Sequence, residues 1–189
     1  MPRSLTSRPA DLAYVVFLVL HLFASLLIDG QAFYPASLVP QALKSVRSDY
    51  LRDSRDPLLG NALHPRYAWF TLCLVAEMVV QVPAFIAGAY GLIRDDARFY
   101  PIIIAYASWA TLSTAECMVT VLFGDERKQL SHDNLRFLLS SYGPFTIIPA
   151  IMLVDFIIRT SSILGSTQVA EKNKMVLKQK LGESRKLSN

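Results

Sequence analysis

Hydrophobic positions gather into four long runs, residues 12–28, 67–93, 99–123 and 136–158, with none of the period-two alternation of an exposed sheet. Each run comes near or exceeds the ~20 residues that a helix needs to cross a ~30 Å hydrocarbon core. The connections at 94–98 and 124–135 are short, so the spans that they join are predicted to be antiparallel neighbours. The long connection, 29–66, opens with Pro35 and Pro40 and continues into a segment at 41–51. There Leu43, Val46, Tyr50 and Leu51 fall on one side of a short amphipathic helix, placed against the membrane or capping the bundle. Pro83 in the second run and Pro144 and Pro149 in the fourth each remove a backbone donor and crowd a preceding carbonyl, which predicts bent helices. The pattern predicts an all-α polytopic membrane protein: a four-transmembrane-helix bundle, kinked in its second and fourth helices, over residues 1–160. A basic tail, 161–189, follows.

Composition strengthens this reading. The chain is 52% hydrophobic and 18% charged, against about 25% charge in soluble domains. Arg3 and Arg8 precede the first run as they would in a signal peptide, but that run exceeds the usual ~7–15 residues and Asp-Gly-Gln-Ala is a poor cleavage site, so a retained span is predicted. The net charge of +4 comes largely from Lys172, Lys174, Lys178, Lys180, Arg185 and Lys186 in the tail. This is a topology signal and no sign of a nucleic-acid partner. Basic flanks favour the cytosolic side, so an even number of crossings puts both termini there. Lys44, Arg47, Arg52, Arg55 and Arg66 in the long connection pull the other way. Cys73 and Cys117 lie within spans and read as small packing residues. The absence of CxxC, HExxH, phosphate-loop and GxSxG patterns, with only three dispersed histidines, predicts no metal and no cofactor.

Polar residues inside the runs carry the candidate chemistry, because an ionised Asp, Lys or Arg at a helix centre costs about 2.5–3.5 kcal/mol and normally faces the bundle interior. Glu77 and Gln81 are four residues apart just before Pro83 and should face inward together. Trp109, Ser113, Glu116 and Thr120 follow 4-3-4 spacing and are predicted to form a second inward stripe. Asp29 ends the first run, yet the residues after it, GQAFYPASLVP, stay largely apolar. Carboxyls converging in a low dielectric do not all ionise, so shared protons are expected. The alternative is that they only hydrogen-bond helix to helix. His21 reads as a packed, hydrogen-bonded residue, Asp155 with Arg159 as an interfacial ion pair, and Tyr14, Tyr90 and Tyr100 as interface anchors.

Five segments now stand in order between residue 12 and about residue 160: HLFASLLIDGQAFYP with His21 and Asp29, RDPLLG with Asp56, CLVAEMVVQVPAF with Glu77, Gln81 and Pro83, IIIAYAS with Tyr106, and SYGPFTIIP with Tyr142, Pro144 and Pro149. Together they resemble the sigma-2 receptor branch of the EXPERA-domain family, which also contains the emopamil-binding sterol isomerase. The resemblance implies an endoplasmic-reticulum membrane protein, usually a homodimer, with a cavity that accepts sterols or other lipids and cationic amphiphilic amines. It implies that Asp29 pairs with a ligand amine, that Asp56 folds back to hydrogen-bond Asp29, and that Glu77 is buried nearby. Tyr106, Tyr142 and Phe145 would form aromatic walls. With Gln81 and Ser113 from the polar faces, these residues make the expected ligand-binding set. Asp29 and Asp56 sharing a proton would hold about one negative charge for an incoming ammonium.

The chain departs from the branch at Trp109, where the pattern has a histidine, and at Glu116, where it has a proline. The terminal RKLSN also lacks a dilysine retrieval signal. The expected function is a non-enzymatic receptor that influences sterol and lipid homeostasis. One alternative is a Δ8–Δ7 sterol isomerase using Glu77 with Glu116 or His21 as acid and base. Another is an endoplasmic-reticulum surface quality-control factor acting through the tail.

Overall fold

The computed structural model describes the backbone of residues 3–187 and the side chains of residues 3–175. The side chains of Lys178, Lys180, Arg185 and Lys186, and the final Ser188 and Asn189, lie outside the described residues. Helix α1, Pro9–Leu27, starts with proline in its first turn, where the missing N–H has no helical partner to lose. It runs into a 3₁₀ turn at Asp29–Ala32. Helix α2, Gln41–Ser54, ends at Arg55 in the left-handed region, φ 54°. The short α3, Pro57–Gly60, follows at once, its first turn capped by Asp56.

The second span is composite: α4, Ala68–Ala76, then a π turn over Glu77–Gln81, then α5, Val82–Ile93. Helix α6 covers Tyr100–Phe123 and α7 covers His132–Leu187. Among the described residues, four helical segments are long and apolar enough to cross a membrane: Pro9–Ala32, Pro65–Ile93, Ala97–Phe123 and His132–Met175. The all-α four-span bundle is thereby shown. At 1.5 Å per residue, α7 would be ~84 Å long, over twice a hydrocarbon thickness, so it continues well beyond the bundle.

Proline acts differently at its three intramembrane positions. Pro83 sits in the first turn of α5, and the wide π turn just before it absorbs the carbonyl that its ring would crowd. Pro144 and Pro149 lie inside α7, which stays helical through both.

The bundle has two apolar cores. In the first, Leu18, Phe85, Ile103, Ala107, Met152 and Phe156 are almost wholly buried. Tyr14 and Tyr100 belong to this core and pack on the Phe156 ring, with centroids 5.6 and 4.9 Å away, instead of anchoring at the interface. Only Tyr90 is exposed as expected. The second core joins Leu58, Phe70, Leu74, Cys117, Val121 and Leu138, so Cys117 does serve as a packing residue. Along α2, Tyr50 and Leu51 turn partly inward, whereas Val46 is half exposed.

The polar stripe expected on α6 is split: Ser113 reaches the interior, whereas Trp109 and Glu116 face outward. Ile103, Tyr106, Ala107, Ala110, Cys117 and Val121 are the buried line of α6, while Trp109 is 43% exposed and Glu116 is exposed on the outer surface. Small side chains along the buried line let α6 and its chain neighbour α7 approach closely. Packing therefore sets the phase of this helix over the preference for sheltering Glu116.

Candidate functional site

A cavity of about 170 Å³ opens where the two cores meet. Of the expected ligand-binding residues, Asp29, Asp56, Glu77, Gln81, Ser113, Tyr142 and Phe145 line it. Tyr106 does not; at 3% exposure it stands behind the wall and bonds a residue that lines it. The lining also includes His21, expected as a packed residue or as an acid or base of the isomerase alternative, and Tyr50, Cys73, Thr114 and Cys117, which lie outside the expected set. For Tyr50, a signal was available in the apolar side of the 41–51 segment.

Asp56 organises one end. Backbone N–H groups of Leu58 and Leu59 donate to its Oδ1 at 2.9 and 3.1 Å, and the hydroxyls of Tyr50 and Tyr142 donate to Oδ2 at 3.0 and 2.7 Å. Such a donor set suits a carboxylate that accepts at both oxygens. The local sequence explains the cap, because an aspartate directly before proline supplies an N-cap oxygen and a preset first turn. Burial, then the charge of Asp56, pushes the Tyr50 phenol above its ordinary pKa and keeps it a donor.

Asp29 differs. It is partly buried, faces the same cavity, and forms no hydrogen bond or ion pair through its side chain among the described residues. The expected bond from Asp56 to Asp29 is not formed; all four donors on Asp56 come from α2, α3 and α7. The two carboxyls border one space without joining.

At a deeper level, Ser25 donates a short hydrogen bond to Glu77, and His21 Nε2 lies 3.8 Å from the same Glu77 oxygen. The other nitrogen of His21 is 2.9 Å from the Tyr106 hydroxyl. Phe85 and Phe145 pack on the imidazole, with centroids 4.6 and 4.7 Å away. His21 is thus buried and hydrogen-bonded, as its isolation in the first run suggested. The π turn brings Glu77 and Gln81 to the same cavity wall.

The EXPERA (EXPanded EBP superfamily) family model matches residues 42–156, which include Asp56, Glu77, Gln81 and Tyr142. A protein named sigma intracellular receptor 2 from Macaca fascicularis is 28% identical over 166 residues, covering 82% of this chain and 90% of its own. Its namesake from Homo sapiens matches at the same identity and coverage. One from Xenopus tropicalis is 25% identical over 157 residues, covering 80% of this chain and 90% of its own. The family match spans more than half of the chain, taking in the second and third spans and the first part of the fourth, and with these relatives it places the chain in the EXPERA family, on the sigma-2 receptor branch.

Proposed function

We propose that the chain is an intramembrane receptor for hydrophobic amines and that it influences lipid or sterol handling in the endoplasmic reticulum. The observation that carries this reading is Asp29, a carboxyl on the wall of a largely apolar cavity with no side-chain partner among the described residues. Asp56 beside it is engaged by four protein donors and Glu77 by Ser25, so of the three acids on these walls Asp29 is the one left to pair with a ligand cation. At an effective dielectric near 20 and ~4 Å, that contact is worth roughly 4 kcal/mol before desolvation. Tyr50, Tyr142 and Phe145 supply ring faces for a cation and its apolar body.

Size orders the ligands. The cavity, at about 170 Å³, falls below the ~300–1,000 Å³ of ordinary ligand sites, so a slim amine enters first and a fused-ring sterol requires the walls to move apart. The receptor reading is also favoured over isomerase chemistry. Double-bond migration needs an acid and a base on opposite sides of the substrate. Here Glu77 and His21 stand together, while Glu116 is on the outer surface. Membership of the sigma-2 branch supports residence in the endoplasmic reticulum and a homodimer, and the basic tail supports cytosolic termini.

The test is Asp29→Asn in purified protein, read by equilibrium binding of a tertiary-amine amphiphile. Affinity should fall at least tenfold with thermal unfolding unchanged; undiminished affinity would place the amine elsewhere. Incubation of the same preparation with a Δ8-sterol should give no Δ7 product, and turnover would replace the receptor reading with an enzymatic one.

A further inference from the structure

We infer that the ligand of this cavity carries a hydroxyl as well as an amine, and that the hydroxyl binds Gln81. This rests on the amine-receptor reading of Asp29 and adds a second contact to it. Gln81 is 5% exposed and lines the cavity, yet its carboxamide oxygen is buried without a hydrogen-bond partner among the described residues. Buried polar groups are nearly always bonded, so an unbonded amide on a cavity wall needs a partner from within that cavity.

The neighbouring groups are already committed. Ser25 donates to Glu77, and His21 bonds Tyr106 through one nitrogen while its other stands 3.8 Å from Glu77, so neither bonds Gln81. The chemistry of the missing partner follows from the amide itself, which offers one acceptor and two donors. A hydroxyl both donates and accepts, so it completes a carboxamide in either orientation. An ammonium can only donate, and the carboxyl of Asp29 on the same walls outcompetes an amide for it. The two ligand groups therefore sort themselves, amine to acid and hydroxyl to amide.

The helices also set their spacing. The Ser25–Glu77 bond fixes the relative level of α1 and the π turn. Asp29 is four residues beyond Ser25, at the start of the 3₁₀ turn that follows α1, and Gln81 is four residues beyond Glu77, at the end of the π turn on a segment running the other way. At a rise on the order of 1–2 Å per residue through these turns, the eight residue steps put Asp29 and Gln81 on the order of 10 Å apart along the bundle axis. The ligand class is thus an elongated amphiphile with its amine and hydroxyl on the order of 10 Å apart across an apolar middle that packs on Leu74, Ala110 and Phe145.

The test uses two probes, a tertiary amine joined through a slim hydrocarbon to a phenol at this spacing, and its deoxy counterpart ending in phenyl. Both are titrated against the full chain in lipid nanodiscs. The phenol should bind at least tenfold tighter to the natural protein, Gln81→Met should reduce that preference to within twofold, and Asp29→Asn should weaken both probes while preserving their ratio. Equal binding of the two probes by the natural protein overturns the inference even if Gln81→Met fails to fold, as does a preference that survives in Gln81→Met. Equal binding that still depends on Asp29 removes the hydroxyl contact alone, whereas failure of both probes to bind removes the amine reading and this inference with it.

Discussion

Two aspartates border one cavity, and at the scale of single residues they do opposite work. Asp56 is 4% exposed and takes hydrogen bonds from two backbone amides and two tyrosine hydroxyls. Asp29 takes none from a described protein group and contacts the space where a ligand would sit. Losing an N-cap costs about 0.5–2 kcal/mol and leaving a buried donor unpaired about 1–3 kcal/mol, so Asp56→Ala should destabilise the protein by about 2–4 kcal/mol. For a chain of this size that is a Tm lower by roughly 5–15 °C. Asp29→Asn should leave Tm nearly unchanged, because it strands no protein donor. Thermal unfolding of both variants in one detergent checks the division; a large drop for Asp29→Asn with little change for Asp56→Ala would invert the assigned roles. Part of this was legible in the sequence, where Asp-Pro followed by two leucines is a capping signal. The tyrosine contacts were not, since Tyr142 lies 86 residues from Asp56 and no local pattern links them.

Helices depend less on individual polar groups than on how closely their surfaces meet, and two glycines of α5 show this. A Cβ on Gly91 would lie 2.4 Å from the Cβ of Phe99, an atom that cannot move without its backbone. A Cβ on Gly88 would come no nearer than 3.1 Å, to a carbon along the Ile103 side chain, which can shift by a few tenths of an ångström. Gly91→Ala should therefore cost about 1–3 kcal/mol by overpacking, while Gly88→Ala should stay within about 1 kcal/mol. Comparing the unfolding temperatures of the two alanine variants checks this, and equal losses would show that helix flexibility dominates over the close approach. Element type and number were legible because twenty-residue apolar runs have few alternatives. The phase of α6 was not. Glu116 lies outside because the alanines and Cys117 that permit close approach occupy the other side, and a polar stripe at 4-3-4 spacing carries no information about which side packs. The π turn was equally hidden: Pro83 announces a disturbed turn, but a bend and a widened turn both relieve it.

Across the whole molecule, the end of the bundle remote from Asp29 is tied by charges that join three distant parts of the chain. Arg8 donates to Asp11 and, at 2.8 Å, to the carbonyl of Leu92. Arg159 donates to Asp11 at 2.5 Å and to both oxygens of Asp155 at 2.9 and 2.6 Å. Arg3 grips Asp95 with two side-chain hydrogen bonds of 3.0 and 2.9 Å, and that pairing holds the Asp95 carboxyl well below the usual range. The sequence showed only the local Asp155–Arg159 pair; the link from α1 to α7 spans 148 residues and exists only once the bundle closes. Asp11 is 2% exposed and shared by two arginines, so its removal leaves a buried Arg8 and a largely covered Arg159 facing each other without their common anion. Breaking a buried pair from one side costs about 3–5 kcal/mol, more than removing both partners together. Asp11→Ala should thus lower stability by about that amount, while Asp11→Ala combined with Arg159→Met should recover part of it. Chemical unfolding of the single and double variants decides the matter: losses that add would mean that Asp11 and Arg159 act independently, and recovery in the double variant would show that one shared charge fastens the first helix to the last.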